Sequence, residues 1–326
     1  MTSKKLGLLV IVTVLVFAAL VGYGDFREMG QRLAHFPVSH LVAALALALL
    51  NYLLRFFRWA YYLRKLKITA PVAVSGLVFL SGLAMSITPG KAGELLKSYL
   101  LRDRAAVPVS VSAPVVIMER ITDVVSVVLL GLVGLALLPL PIVVALVAAL
   151  SITGVALMVV ASRHGGRLLS LPILRRWKSS LEASHQGLRL LTVPRVVAVA
   201  VALGAVAWFC EGLALWVILS GLDADLSVGR AVSIYAAATL VGAVSAMPGG
   251  LVGTEGSMLA LLQNSGIARG PASAATLLVR LVTLWFAVMI GVMALVWVNR
   301  FKQSQVISTA DTEPENSALP GHSTNA

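Results

Sequence analysis

The chain has 326 residues, of which 59 % are hydrophobic and only 12 % charged, with a formal net charge of +12. Soluble domains carry about 25 % charged residues, so an ordinary soluble fold is excluded, and no polar basic region is present to hold nucleic acid. Cys210 stands alone in an apolar stretch and the five histidines are scattered, so no disulfide framework, metal site or cofactor site is expected.

Lys4 and Lys5 precede the first apolar run, 6–24, which is followed by Tyr23-Gly24-Asp25 rather than a small-residue cleavage site. It reads as a retained anchor, not a signal peptide. Further runs long enough to span a bilayer occupy 40–57, 113–138, 141–161, 196–220 and 274–298. Arg55, Arg58, Arg64, Lys65 and Lys67 follow the second run with no acid among them, and Arg163 to Arg195 form a longer basic loop. Such loops belong on the cytoplasmic side, as do Arg300 and Lys302, whereas the connection holding Asp223 and Asp225 belongs outside. The loop Leu168–Arg195 also carries Leu169, Leu171, Ile173, Leu174 and Leu181, a pattern suited to a membrane-surface segment.

Two apolar regions, 71–101 and 229–264, contradict this topology if each simply crosses. Both contain a Pro-Gly break. The first reads Ser86-Ile87-Thr88-Pro89-Gly90-Lys91-Ala92-Gly93-Glu94, with Arg120 following 26 residues after Glu94. The second reads Ala246-Met247-Pro248-Gly249-Gly250-Leu251-Val252-Gly253-Thr254-Glu255, with Arg280 following 25 residues after Glu255. Matched breaks in two halves of an apolar chain point to a midplane binding site. If each region is a re-entrant hairpin, the charge conflict disappears, and the freed backbone groups are sheltered by protein. The expected fold is an all-α polytopic membrane protein of eight hydrophobic segments: six full spans and two hairpins. The halves, about 1–138 and 139–300, are then inverted repeats, followed by a disordered cytoplasmic tail, 301–326.

Charges inside such helices cost a few kcal/mol each and are placed toward protein or water. Glu94, Glu119, Arg120, Asp123, Glu211, Glu255 and Arg280 are the candidates, joined by Arg58 in the aromatic stretch Asn51–Tyr62. The hairpin turns Pro89, Gly90, Gly93, Pro248, Gly249, Gly250 and Gly253 would aim short-helix N-termini at the midplane, where an anion such as phosphate is favoured. Arg120 and Arg280 would add two-donor forks from opposite sides, and Glu94 and Glu255 would hold a cationic headgroup part or gate the arginines. The same residues also read as plain ion pairs, Glu94–Arg120 and Glu255–Arg280, closing each hairpin on its helix. Glu119 and Asp123, four apart, share a helix face, Arg120 is three from Asp123, and the three read as a packing network. Glu211, among Trp208, Phe209 and Trp216, has no local partner in the sequence. Lys91 and Lys97 are expected to snorkel. Asn51–Tyr62 reads either as an interfacial belt or as a site of anionic headgroup capture.

At these residues the chain resembles the flippase-like transmembrane domain of bacterial lysylphosphatidylglycerol synthases, a domain that also occurs alone. The resemblance runs over roughly 5–300 and is carried by Arg55 to Trp59, Thr88 to Glu94, Glu119-Arg120-x-x-Asp123 and Met247 to Glu255. It implies translocation of an aminoacylated or otherwise modified lipid from the inner to the outer leaflet of the bacterial inner membrane, while the basic residues at both ends of the chain place both termini in the cytoplasm. It also implies that the matching Glu and Arg positions lie on the path. No aminoacyl-transferase domain follows before Ala326, so lipid synthesis is not expected of this chain, and a polyprenyl phosphate is an open substrate beside aminoacylated phospholipid. The alternative is a non-transporting subunit that partners a lipid-modifying or lipid-linked glycan enzyme. No nucleotide loop or nucleophile motif is present, so an enzyme is not expected.

Overall fold

The helix Val38–Lys65 shows how this chain suits a bilayer. Its buried residues Ala44, Ala48, Asn51, Tyr52, Arg55, Arg58 and Trp59 recur every three or four positions, while Leu49, Leu53 and Phe57 face outward. The inward face is the polar one, the reverse of a soluble amphipathic helix. The computed structural model describes residues 18, 22, 26–88, 93–133, 140–161, 178–245 and 247–310, and every regular element among them is helical.

In chain order these are α1 (Phe26–Ala34), α2 (Val38–Lys65), α3 (Val72–Leu83), a 3-10 turn at Ala84–Ile87, α4 (Leu96–Ala105) and α5 (Val109–Val133). Two intervening helices follow, α6 (Leu140–Ala161) and α7 (Lys178–Leu191). Then come α8 (Pro194–Gly221), α9 (Val228–Val244), a 3-10 turn at Pro248–Gly250, α10 (Gly253–Asn264), α11 (Arg269–Arg280), a π-helical turn at Leu281–Trp285 and α12 (Phe286–Ala310). A long helix, a broken helical pair and another long helix thus occur twice. Among the described residues three stretches are long and apolar enough to cross a membrane: Val38–Lys65, Pro194–Gly221 and Arg269–Val298. This is an all-α, multi-pass membrane protein.

The packing uses small residues, because lipid supplies no hydrophobic drive to press helices together. α2 lies along α8, where Asn51 Nδ2 donates to the Ala207 carbonyl at 2.8 Å. A side chain at Gly212 would meet the Val232 backbone at 2.7 Å, so α8 and α9 touch main chain to main chain. Gly291 brings α12 equally close to the first break, since a Cβ there would fall 2.1 Å from the Ala84 nitrogen.

Several expectations shift. Arg55 and Arg58 are not loop charges, because α2 continues to Lys65 and buries both. Only Arg64, Lys65 and Lys67 then remain to mark the following loop. Part of the basic stretch expected on the membrane surface forms α7, which packs on the start of α5, and Ser184 Oγ donates to the Ser110 carbonyl at 2.8 Å. The last helix runs through Ala310, past the start of the expected tail at Phe301. The expected anchor at 6–24 lies outside the described residues apart from 18 and 22, as do Pro89, Gly90, Lys91, residues 162–177 and the tail after Ala310.

Candidate functional site

Each break is closed by its own residues. In the first, the Thr88 hydroxyl donates to the Met85 carbonyl at 2.6 Å and accepts from the Gly93 N–H at 3.0 Å. A Cβ on Gly93 would lie 2.7 Å from the Thr88 side chain, which accounts for glycine at that expected turn position. In the second, Gly249 and Gly250 adopt φ of 64° and 68°, open to glycine without steric cost. Gly253 fits close beside Ser245 and Gly242. Val252 also sits at positive φ (69°), a strained conformation for a β-branched residue of the kind found at functional sites.

The buried charges form one chain of contacts on the first set of helices. Lys97 Nζ pairs with Glu119 and lies 3.6 Å from Glu94 Oε2. Glu94 Oε2 in turn meets Arg120 Nη2 at 2.9 Å, and Arg120 reaches Asp123 Oδ2 at 3.1 Å. Asp123 Oδ1 accepts from Arg58 Nη2 at 2.6 Å and from Trp208 Nε1 at 3.1 Å. Its other oxygen is 3.6 Å from Arg55. Lys97 therefore does not snorkel. It is buried, its ammonium 4.9 Å from the centre of the Trp59 ring. A carboxylate on each side makes the interior cheaper for it than a stretch toward water.

On the second set, Arg280 Nε donates to Glu255 Oε1 at 2.6 Å and Nη2 donates to the Gly249 carbonyl at 2.6 Å. One guanidinium thereby ties α11, α10 and the second break together. Glu211 Oε2 accepts from Tyr235 Oη at 2.6 Å, and Tyr52 Oη donates to the Thr283 carbonyl at 3.0 Å. Both ion pairs expected from the spacing, Glu94–Arg120 and Glu255–Arg280, are formed.

The two breaks meet, and a cavity of about 290 Å³ lies between them. That is near the lower end of the roughly 300–1,000 Å³ of small-molecule sites. Arg55, Arg120 and Arg280 line it, with Asp123 and Glu211, beside Thr88 of the first break and Gly249 and Gly250 of the second. Glu94, Glu119, Glu255 and Arg58 stand behind this wall and do not face the cavity. Arg120 and Arg280, expected at separate stations, share a single chamber. Beside it Ile87, Leu251 and Leu284 form a separate apolar cluster where the breaks and the π-helical turn come together.

Among the described residues Arg55, Arg58, Lys97, Arg280 and the partly exposed Arg120 oppose Glu94, Glu119, Asp123, Glu211 and Glu255, five cations against five anions. Sequence reasoning missed Arg55 as a cavity residue, Lys97 as a paired one, and the tyrosines Tyr52 and Tyr235. The signal for Arg55 was present: Asn51, Arg55 and Arg58 lie at i, i+4 and i+7, one face of a helix whose other face is Leu49, Leu53 and Phe57.

Residues 6–291 match the family described as the lysylphosphatidylglycerol synthase transmembrane region, and the chain belongs to that family. It is similar to a UPF0104 membrane protein of Methanothermobacter thermautotrophicus, 24 % identical over 322 residues that cover 90 % of this chain and 95 % of the relative. A second UPF0104 membrane protein, from Methanocaldococcus jannaschii, is 26 % identical over 227 residues, covering 66 % of this chain and 94 % of the relative.

Proposed function

We propose that this member of the lysylphosphatidylglycerol synthase transmembrane-region family carries an anionic lipid headgroup between the leaflets of the cytoplasmic membrane. The observation that carries the reading is the chamber between the two helix breaks, into which three arginines from α2, α5 and α11 project. Guanidinium groups match phosphate oxygens in pairs, and among protein walls, where the local dielectric is below that of water, such bonds are strengthened.

The broken pairs are the moving parts. At 1.5 Å per residue α3 and α4 are about 18 and 15 Å long, and α9 and α10 about 26 and 18 Å, each shorter than a core of about 30 Å. Each broken pair is therefore read as a re-entrant hairpin, entering and leaving on its own side, the second inverted relative to the first. Glu94–Arg120 ties the first hairpin to α5, and Arg280 ties the second to α11. Where the breaks face each other, the described contacts are the apolar ones of Ile87, Leu251 and Leu284. Such a seam parts without leaving buried polar groups unpaired, the property a gate needs. Both termini are placed on the cytoplasmic side, and the chain is read as a carrier, not an enzyme.

Proteoliposomes with fluorescent phosphatidylglycerol in one leaflet test this. Protein should speed its appearance in the other leaflet over empty vesicles. With Cys210 replaced by alanine, Ile87→Cys with Leu251→Cys should stop transport on oxidation and resume it on reduction. No acceleration with phosphatidylglycerol, an aminoacylated phospholipid or a polyprenyl phosphate would sink the reading. A second reading, a static membrane subunit serving a lipid-modifying enzyme, draws support from the five-to-five charge balance. Under it, charge-swapped pairs such as Glu94→Arg with Arg120→Glu should keep function.

A further inference from the structure

We infer that Arg55 is the residue that grips the phosphate oxyanion, while the other arginines shape and hold the chamber. The inference rests on the transport reading above and goes beyond it by dividing the guanidinium groups according to what each already holds. Arg280 spends Nε on Glu255 and Nη2 on the Gly249 carbonyl. Arg120 is clamped between Glu94 and Asp123, at 2.9 and 3.1 Å. Arg58 is fully buried behind the wall, with Nη2 on Asp123 and Nη1 3.4 Å from Thr122 Oγ1. Arg55 differs from all three. It lines the cavity at only 6 % exposure, its nearest carboxylate oxygen is 3.6 Å away, and it makes no hydrogen bond among the described residues. Its Nε is sealed from solvent and without a hydrogen-bond partner, as are those of Arg58 and Arg120, but those two hold carboxylate oxygens at 2.6–3.1 Å, whereas the one beside Arg55 is 3.6 Å away.

A guanidinium offers five N–H donors, and leaving them buried and unmet is costly. Native structures keep such a group where something else completes it. Here the missing partner is an acceptor of negative charge and more than one oxygen, placed in the cavity. A phosphate supplies both. The Trp208 ring, whose centre is 6.0 Å from the guanidinium carbon, and α2 itself hold the fork in place. Asp123 is already engaged by Arg58, Arg120 and Trp208, so losing its long contact to Arg55 leaves it paired. Arg55 can therefore change partners at little cost to the fold.

The test compares wild type, Arg55→Gln and Arg55→Lys in detergent, with thermal stability read against three probes. Dihexanoylphosphatidylglycerol carries the phosphodiester, dihexanoylglycerol lacks it, and inorganic phosphate lacks the lipid. Without any probe, Arg55→Gln should melt close to the wild-type temperature, since it gives up only the long 3.6 Å contact to Asp123, which Arg58 and Arg120 still hold. The phosphodiester, and not dihexanoylglycerol, should stabilise wild type. Arg55→Gln should bind it about tenfold more weakly or worse, and Arg55→Lys should not rescue, having no planar fork. Unchanged binding in Arg55→Gln, with transport retained, overturns the role of Arg55 and leaves the transport reading standing. Lost binding in Arg55→Gln alongside a wild type that moves no lipid upholds Arg55 and sinks transport. Equal protection by inorganic phosphate, lost in Arg55→Gln, upholds the oxyanion site but makes its source a soluble phosphate.

Discussion

Asp123→Asn should leave little folded protein. One carboxylate holds Arg58 at 2.6 Å, Arg120 at 3.1 Å and the Trp208 indole at 3.1 Å, joining α2, α5 and α8 in the interior. Asparagine keeps the volume but removes the charge, and its NH₂ would face donors. Removing one partner of a buried pair costs about 3–5 kcal/mol, and here several cations lose compensation together. That is comparable to a large part of the stability of a typical domain, about 5–15 kcal/mol. Monodisperse yield and melting temperature in detergent are the measurements. A variant with wild-type yield and a melting temperature within a degree or two would mean that Asp123 does not organise this interior.

How far such an arrangement can be read from sequence depends on how far apart the partners lie. The second break was legible because Gly249 and Gly250 take positive φ, a demand that local sequence states directly. Glu94 with Arg120 and Glu255 with Arg280 were legible because each spacing repeats in the other half, so one pairing supported the other. Arg55 and Arg58 were misplaced by a rule that counts basic residues near the end of an apolar run as cytoplasmic loop charge. Their true partner, Asp123, is 65 residues beyond Arg58, and nothing local announces it. Lys97 failed for the same reason: its partner Glu119 is 22 residues away on another helix. Glu211 lacked a partner only within its own helix, since Tyr235 reaches it from α9. What sequence could not supply was the convergence of both breaks on one chamber, which depends on how the two sets of helices pack.

Arg280→Lys should fail almost as badly as Arg280→Ala, but for a structural reason. The fork meets two acceptors on different elements, Glu255 Oε1 on α10 and the Gly249 carbonyl in the break, each at 2.6 Å. A lysine ammonium is a compact charge that cannot reproduce the fixed geometry of two nitrogens. Lysine at 280 therefore does not separate anion binding from scaffolding, and the pair must be removed together. Arg280→Gln alone strands Glu255, which is 1 % exposed, at a cost of about 3–5 kcal/mol. Adding Glu255→Gln removes that stranded charge. The double variant should recover most of the folded yield, short of wild type by the Gly249 carbonyl, whose lost hydrogen bond costs about 1–3 kcal/mol. Transport should remain absent in the recovered protein, because the second break has lost the tie that sets its position beside the cavity. A double variant that folds and also moves phosphatidylglycerol at the wild-type rate would confine Arg280 and Glu255 to stability and show that the second break keeps its place without their tie.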